Sequence, residues 1–359
     1  MIGWKQNRAG YIKEKQMSNK YALMIGSSHA YVMGLNATLN ALDYYGVKDI
    51  DVYVFSNKIL KEYFNYAKEK LNYPLFFVDA EELVAPYQTE FANDGGVAWM
   101  DVMFFWGKYP LLYQIKDKYE AIGHLDGDMM VVDDISDTFK IAAETGNLLI
   151  SSNDRSSLSL SQIRELCWND NRDRLLEFCM GYPVLNYVFF FDAKKYSSLI
   201  DYVWEYRNNS IKNTKNYGLE TAYFIQGIYE CNLIDKVVFL PFDHWMSDDY
   251  LCKKKIPLEI DSNGKYHLIA PDGKNIQVVH GRFWNIYTTE HMIELTGKNQ
   301  QECLLYNFET HTKMTDFLNF DWKVKLDDVV KLNNSYRSFL EVNRPWETIL
   351  KWLKEKGLK

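Results

Sequence analysis

The stretch Ile122-Gly123-His124-Leu125-Asp126-Gly127-Asp128-Met129-Met130-Val131-Val132-Asp133-Asp134 is an apolar run interrupted by two carboxylates with one glycine between them. Its hydrophobic length predicts a buried strand that ends in a polar site. Along one extended strand alternate side chains share a face, so Asp126 and Asp128 are expected to point the same way, and Gly127 lets the backbone bend toward a ligand. Two carboxylates on one side attract a hard divalent cation. A bare Asp-x-Asp more often marks a loop with two solvated acids, and it is the flanking strand that favours a metal site here.

Working toward the N-terminus, Trp99, Val102, Met103 and Trp106 mark a helix that leads into this stretch. Before it, Tyr21 to Gly26, Asp51 to Phe55 and Leu75 to Val78 have the length and apolar content of buried strands. Ser27-Ser28-His29 follow the first as a turn and cap. Leu35, Leu39 and Leu42 then recur at helical spacing, and Gly46 stands where a helix end favours a left-handed residue. Leu60, Phe64, Ala67 and Leu71 line the next helix.

Working toward the C-terminus, Leu148 to Ile150 is a strand that runs to Asn153-Asp154, and residues 155 to 180 read as charged surface helices carrying Ile163, Leu166, Leu175 and Leu176. Pro183 to Asp192 is an apolar strand with one amide, Asn186, that needs hydrogen-bond partners or a ligand if buried. Tyr196, Leu199, Ile200, Val203 and Trp204 form a helical stripe, and a second helix spans about 217 to 230. Val237 to Leu240 is a strand, residues 258 to 260 and 266 to 269 a hairpin around Asp261-Ser262-Asn263-Gly264, and the chain then reaches Gln277-Val278-Val279-His280-Gly281-Arg282-Phe283-Trp284.

Strands alternating with helices of this length predict an α/β fold with a mostly parallel sheet, whose ligands gather at the carboxyl ends of the strands. The 359 residues divide into a polar lead (1–18), one large α/β domain (19–287) and a helical C-terminal extension (288–359). No G-x-G-x-x-G follows the first strand and no Walker sequence occurs, so a dinucleotide-type site and a P-loop are not supported. A net charge of -7 with scattered basic residues argues against a nucleic-acid partner. Aromatic residues make up 16% of the chain, more than ordinary core needs and suited to surfaces that stack on sugars or bases.

The five cysteines form no C-x-x-C pair, which predicts reduced thiols in a cytoplasmic compartment and no zinc site. The N-terminal residues lack an apolar signal core, and no stretch approaches the roughly 18 apolar residues of a membrane span. Trp346, Ile349, Leu350 and Leu353 share a face of a lysine-rich terminal helix. That helix either docks on its own domain or makes peripheral contact with a membrane surface.

The βα opening with Ser27, Ser28, His29 and Tyr31, the Lys108 helix before the Asp pair, HLDGDMMVVDDI, the Asn186 strand and the late His280-Gly281-Arg282-Phe283-Trp284 occur in one order. Together they resemble glycosyltransferases of the GT-A fold, most of all the retaining family 8 enzymes that include glycogenin and bacterial galactosyl- and glucosyltransferases. The resemblance covers roughly residues 21 to 285. It implies a GT-A sheet flanked by helices, with Asp126, Asp128 and His280 as ligands of a Mn²⁺ or Mg²⁺ that bridges the donor diphosphate. Imidazole ligation tilts that choice toward Mn²⁺.

It further implies Arg282 beside the departing diphosphate, Ser27, His29 and Tyr31 around the nucleotide, and Lys108 in place of a usual arginine. Asn186 falls to the donor sugar or acceptor and Glu220 beneath the anomeric carbon; Asp154, expected to close a strand on the same edge, is a candidate acceptor for a sugar hydroxyl on its position alone. The chain departs from the pattern where an early Asp is replaced within Ser27-Ser28-His29 and where an Asp-Gln-Asp helix start appears only as Leu219-Glu220-Thr221. It departs again where His280 and Arg282 stand two residues apart.

The expected activity is metal-dependent transfer of a hexose from a nucleotide diphosphate sugar, UDP-sugar favoured, to a hydroxyl of a glycan, lipid-linked or protein acceptor, with retention. The alternatives are an inverting GT-A transferase, a sugar nucleotidyltransferase, and a non-catalytic carbohydrate-binding protein with a decayed site. For the nucleotidyltransferase, Ile25 to Gly34 lacks the glycine-rich phosphate loop.

Overall fold

A computed structural model describes residues 19–27, 32–56, 61–84, 99–127, 129–152, 184–210, 224, 227–228, 230–247 and 257–280. The chain opens β1 (Tyr21–Gly26), α1 (Val32–Tyr45), β2 (Ile50–Ser56), α2 (Lys61–Lys70), β3 (Leu75–Asp79), α3 (Ala80–Val84) and α4 (Trp99–Ile115). It continues through β4 (Ala121–Asp126), β5 (Met129–Val131), α5 (Ser136–Thr145), β6 (Leu148–Ser152), β7 (Val184–Phe191) and α6 (Ser197–Ser210). The last elements are the short strands β8 (Val237–Phe239), β9 (Trp245–Ser247), β10 (Leu258–Ile260), β11 (Tyr266–Leu268) and β12 (Val278–His280). Each α/β element named from periodicity and falling within the described residues is present.

The central sheet has seven strands in the order β3-β2-β1-β4-β7-β6-β8. All its pairings are parallel except those of β7, which runs antiparallel to both β4 and β6. Helices pack on its faces, so β1 and β2 are buried and carry continuous apolar runs rather than alternation. Leu35, Leu39 and Leu42 of α1 are buried, and Gly46 takes up the chain at φ 72°. The same stripe logic buries Leu199, Ile200 and Val203 of α6.

The acidic stretch corrects one expectation. It is not a single strand: β4 ends at Asp126 in the central sheet, and β5 begins at Met129 in a separate sheet of order β5-β12-β9. Alternation along one strand therefore does not relate Asp126 to Asp128, which lies outside the described residues. The physical reason is that one apolar run serves two cores. Met129 to Val131 are buried, and the Thr38 hydroxyl of α1 donates to the Met129 carbonyl, so the run beyond Gly127 finds its cover under α1.

Gly123 shows how closely β4 is enclosed. A Cβ there would lie 2.5 Å from the Phe190 ring and 2.9 Å from Phe139, so only a bare backbone lets α5 and β7 close on this strand. Near the start of β2 the buried Asp51 accepts hydrogen bonds from Tyr119 (2.8 Å) and Asn19 (2.7 Å), and Tyr119 pairs with Tyr53 (2.7 Å). Burial pushes both phenols above their ordinary range, which keeps them neutral as hydrogen-bond partners.

The β10–β11 hairpin forms at the expected place, antiparallel with Glu259 opposite His267, and Gly264 takes φ 77° in the turn. It docks on α1: Lys265 Nζ donates to the Tyr45 carbonyl (3.0 Å) and the Tyr45 hydroxyl to the Tyr266 carbonyl (2.8 Å). His267 lies between Asp133 (3.1 Å) and Asp261 (3.4 Å). The Lys265 N–H, followed by the Asn263 N–H, holds the Asp261 carboxyl below the usual carboxylate range.

A carboxyl depressed in the folded state stabilises above its unfolded pKa, and that contribution is lost as pH falls through the folded value. Hydrogen-exchange protection factors at Asn263 and Lys265 are therefore expected to drop below about pH 4, while the β1–β4 amides keep theirs. Unchanged turn protection at pH 3 would contradict this.

Among the described residues no helix is long and apolar enough to cross a membrane. Cys231 is a half-buried free thiol, and Cys167, Cys179, Cys252 and Cys303 lie outside the described residues, as does the whole 288–359 extension.

Candidate active site

The carboxyl ends of β1, β2 and β4 form one ledge, because β1 pairs in register with both neighbours: Gly26 faces Phe55 on one side and Asp126 on the other. Gly26 is required there, since a Cβ would lie 2.5 Å from the Phe55 ring. Ser27 follows and is fully buried. Its N–H bonds to the Phe55 carbonyl (3.2 Å), and its carbonyl accepts from the Ser56 hydroxyl (2.6 Å). These bonds secure the ledge on which Asp126 stands.

Asp126 closes β4 with its side chain 44% exposed, on the same edge as Ser27. Its Oδ1 lies 2.8 Å from Nε2 of His124, two residues back on the same strand face, and the His124 side chain is only 1% exposed. Burial, then the nearby Lys108 charge, pushes the His124 pKa below its ordinary value. A neutral imidazole whose Nε2 faces a carboxylate oxygen is the donor of that bond, since the ionised carboxylate only accepts. Lys108, on the buried side of α4, is itself 2% exposed and belongs to this charged neighbourhood rather than to the surface.

His124 was not singled out from the sequence. The signal was present, because His-x-Asp at the end of a strand puts both side chains on one face. It was hidden by the apolar run around it, in which a histidine reads as one more core residue.

His280 is the far-downstream residue that the fold brings to the acidic stretch. β12 runs antiparallel to β5 with His280 opposite Met129, the residue after Asp128, and parallel to β9 with His280 beside Ser247. The backbone thus joins the two segments expected to supply the ligands. Asn186 lies on β7, at the end of that antiparallel strand nearest the carboxyl end of β4. The β6–β7 register shifts between Ile150, opposite Phe189, and Ser151, opposite Leu185, so Asn186 falls within a bulge. Bulges next to ligand sites re-aim side chains.

Asn186 and His280 are placed by backbone alone, while His29, Tyr31, Asp128, Asp154, Glu220 and Arg282 lie outside the described residues. Among the described residues no three His, Cys, Asp or Glu side chains gather as a metal site. The described member of the expected donor set, Asp126, fits a hard divalent cation in kind and position: an oxygen donor, partly exposed, at the end of a rigid strand.

No family model matches this chain, and no curated protein matches it in sequence. In fold it is similar to mouse xyloside xylosyltransferase 1 in its apo form, at 12% identity over 73% of this chain and 97% of that one, with a TM-score of 0.46. It is similar to the galactosyltransferase LgtC in complex with donor and acceptor sugar analogues, at 12% identity over 73% and 87%, TM-score 0.43. A third likeness is the glycosyltransferase GlyE of Streptococcus pneumoniae, at 14% identity over 82% and 64%, TM-score 0.41. At this identity these are likenesses of fold, and the chemistry has to come from the residues at the sheet edge. The mostly parallel seven-stranded sheet flanked by helices, with its small hairpin, agrees with the α/β architecture expected from the sequence.

Proposed function

We propose that this chain is a metal-dependent glycosyltransferase that moves a hexose from a nucleotide diphosphate sugar, UDP-sugar in preference, to an acceptor hydroxyl with retention of configuration. The observation that carries the reading is the register setting His280 opposite Met129, beside the turn that follows Asp126. The Asp126 carboxylate, the Asp128 carboxylate two residues on and the His280 imidazole are the donor set for Mn²⁺, with Mg²⁺ as the harder alternative. When bound, the cation supplies positive charge to a diphosphate that becomes more negative as the glycosidic bond breaks.

The remaining roles fall to the chain itself. Asp126 and Asp128 hold the cation at the edge of the sheet, and Arg282, two residues after His280, meets the leaving diphosphate. Asn186 in the β7 bulge orients the sugar, with Glu220 and Asp154 positioning its hydroxyls. His29 and Tyr31 meet the nucleotide, and the buried Ser27 secures the end of β1 from which they follow. In a front-face transfer a leaving phosphate oxygen takes the acceptor proton, so no dedicated basic side chain is required.

Thermal shift with Mn²⁺ and UDP, GDP or CDP, each with and without EDTA, tests this. Stabilisation is expected only from metal and nucleotide together, by about 2.7 kcal/mol at a hundredfold excess over Kd, and most strongly with UDP. No response to any pair would remove the transferase reading and leave a carbohydrate-binding protein with a decayed site.

A further inference from the structure

We propose that His124 is a positioning residue that holds the Asp126 carboxylate in the orientation in which it serves the cation. The inference rests on Asp126 being a cation ligand, as proposed above.

His124 sits where an apolar side chain would be expected. It shares its strand face with Ile122, and on the facing strand Phe189 stands directly opposite. Its ring is enclosed between Phe55, stacked at 5.9 Å and 26°, and Phe189, at 5.0 Å and 34°. An imidazole taken out of water into such a slot costs free energy unless its polar atoms find partners, so a phenylalanine or leucine would suit the packing better. What the imidazole adds is the Nε2–H to Asp126 Oδ1 at 2.8 Å.

That bond crosses the boundary of the molecule. One end is a buried ring with no room to rotate, and the other is a carboxylate 44% exposed on the ledge beside Ser27. A carboxylate on a strand end otherwise samples several rotamers in water, and ordering it on cation binding costs free energy. Pinning one oxygen to a fixed ring removes part of that cost in advance.

The test compares His124→Phe, which keeps the ring shape and removes the donor, with His124→Gln, which keeps an N–H donor at similar reach. Mn²⁺ affinity in the presence of UDP is read by titration calorimetry and by the free-Mn²⁺ electron paramagnetic resonance signal, and stability by urea unfolding. His124→Phe is expected to weaken Mn²⁺ binding about 10- to 100-fold without a matching fall in the urea midpoint, and His124→Gln to recover most of the loss. His124→Leu makes the same comparison should the phenylalanine variant not fold.

Wild-type Mn²⁺ affinity in the donor-less variants overturns the positioning role, as does a glutamine variant no better than they are. Asp126→Asn separates the two levels. If it loses Mn²⁺ while His124→Phe does not, only the positioning role falls; if the wild-type chain binds no Mn²⁺ with UDP, the cation-site reading falls and takes this role with it.

Discussion

Asp126→Ala will abolish metal-dependent donor turnover, lowering kcat/KM by about a thousandfold or more, because several kcal/mol of leaving-group stabilisation are lost with the ligand. The carboxylate stands at the carboxyl end of β4, in register with Gly26 of β1 and beside Ser27, on the edge where ligands of parallel sheets gather. Its truncation also leaves His124 Nε2 buried without its acceptor, which costs about 1–3 kcal/mol of stability. Asp126→Asn keeps an acceptor for His124 while removing the charge, so the isosteric variant separates lost chemistry from lost stability.

The assay is slow donor hydrolysis over a panel of UDP-, GDP- and CDP-sugars with Mn²⁺, which requires no acceptor. If both variants turned over donor at the wild-type rate after chelation controls, Asp126 would not be a cation ligand.

Phe189→Ala will destabilise the protein by about 3–5 kcal/mol, a large share of the roughly 5–15 kcal/mol that holds an ordinary domain together. The ring is fully buried on β7, against His124 at 5.0 Å, Phe191 at 5.3 Å and Phe224 at 5.5 Å. β7 is the antiparallel strand that joins β4 to β6, so the cavity opens at the seam between the two halves of the sheet. Urea unfolding should show a lower midpoint at an unchanged m-value. Val238→Ala on the exposed side of β8 should fall within about 0.5 kcal/mol of wild type. A loss below about 1 kcal/mol at Phe189 would mean that the seam repacks.

His124 links the two results. Its ring is packed by Phe189 and its Nε2 reaches Asp126, so the aromatic core and the proposed cation ligand meet in one side chain. Phe189→Ala is accordingly expected to loosen the site as well as the fold.

Much of the architecture is legible in the residues themselves. The apolar runs of β1, β2 and β4 and the stripes of α1 and α6 report burial through length and period, and those signals are local. Gly46 and Gly264 mark where the backbone takes positive φ, again a property of a few neighbouring residues. The carboxylate at the end of a buried strand, Asp126, was visible for the same reason.

What the sequence left open was decided by partners far along the chain. Ile122 to Asp134 reads as one strand because hydrophobicity says that a segment is buried without saying against what. The tertiary structure divides it between two sheets because β1 and β7 claim one part and α1, with β12, the other. The antiparallel run of β7, its bulge at Asn186, the bond from His124 to Asp126 and the placement of His280 opposite Met129 follow from the same cause. Strand pairing is settled by long-range register, and no local period encodes which distant strand will lie alongside.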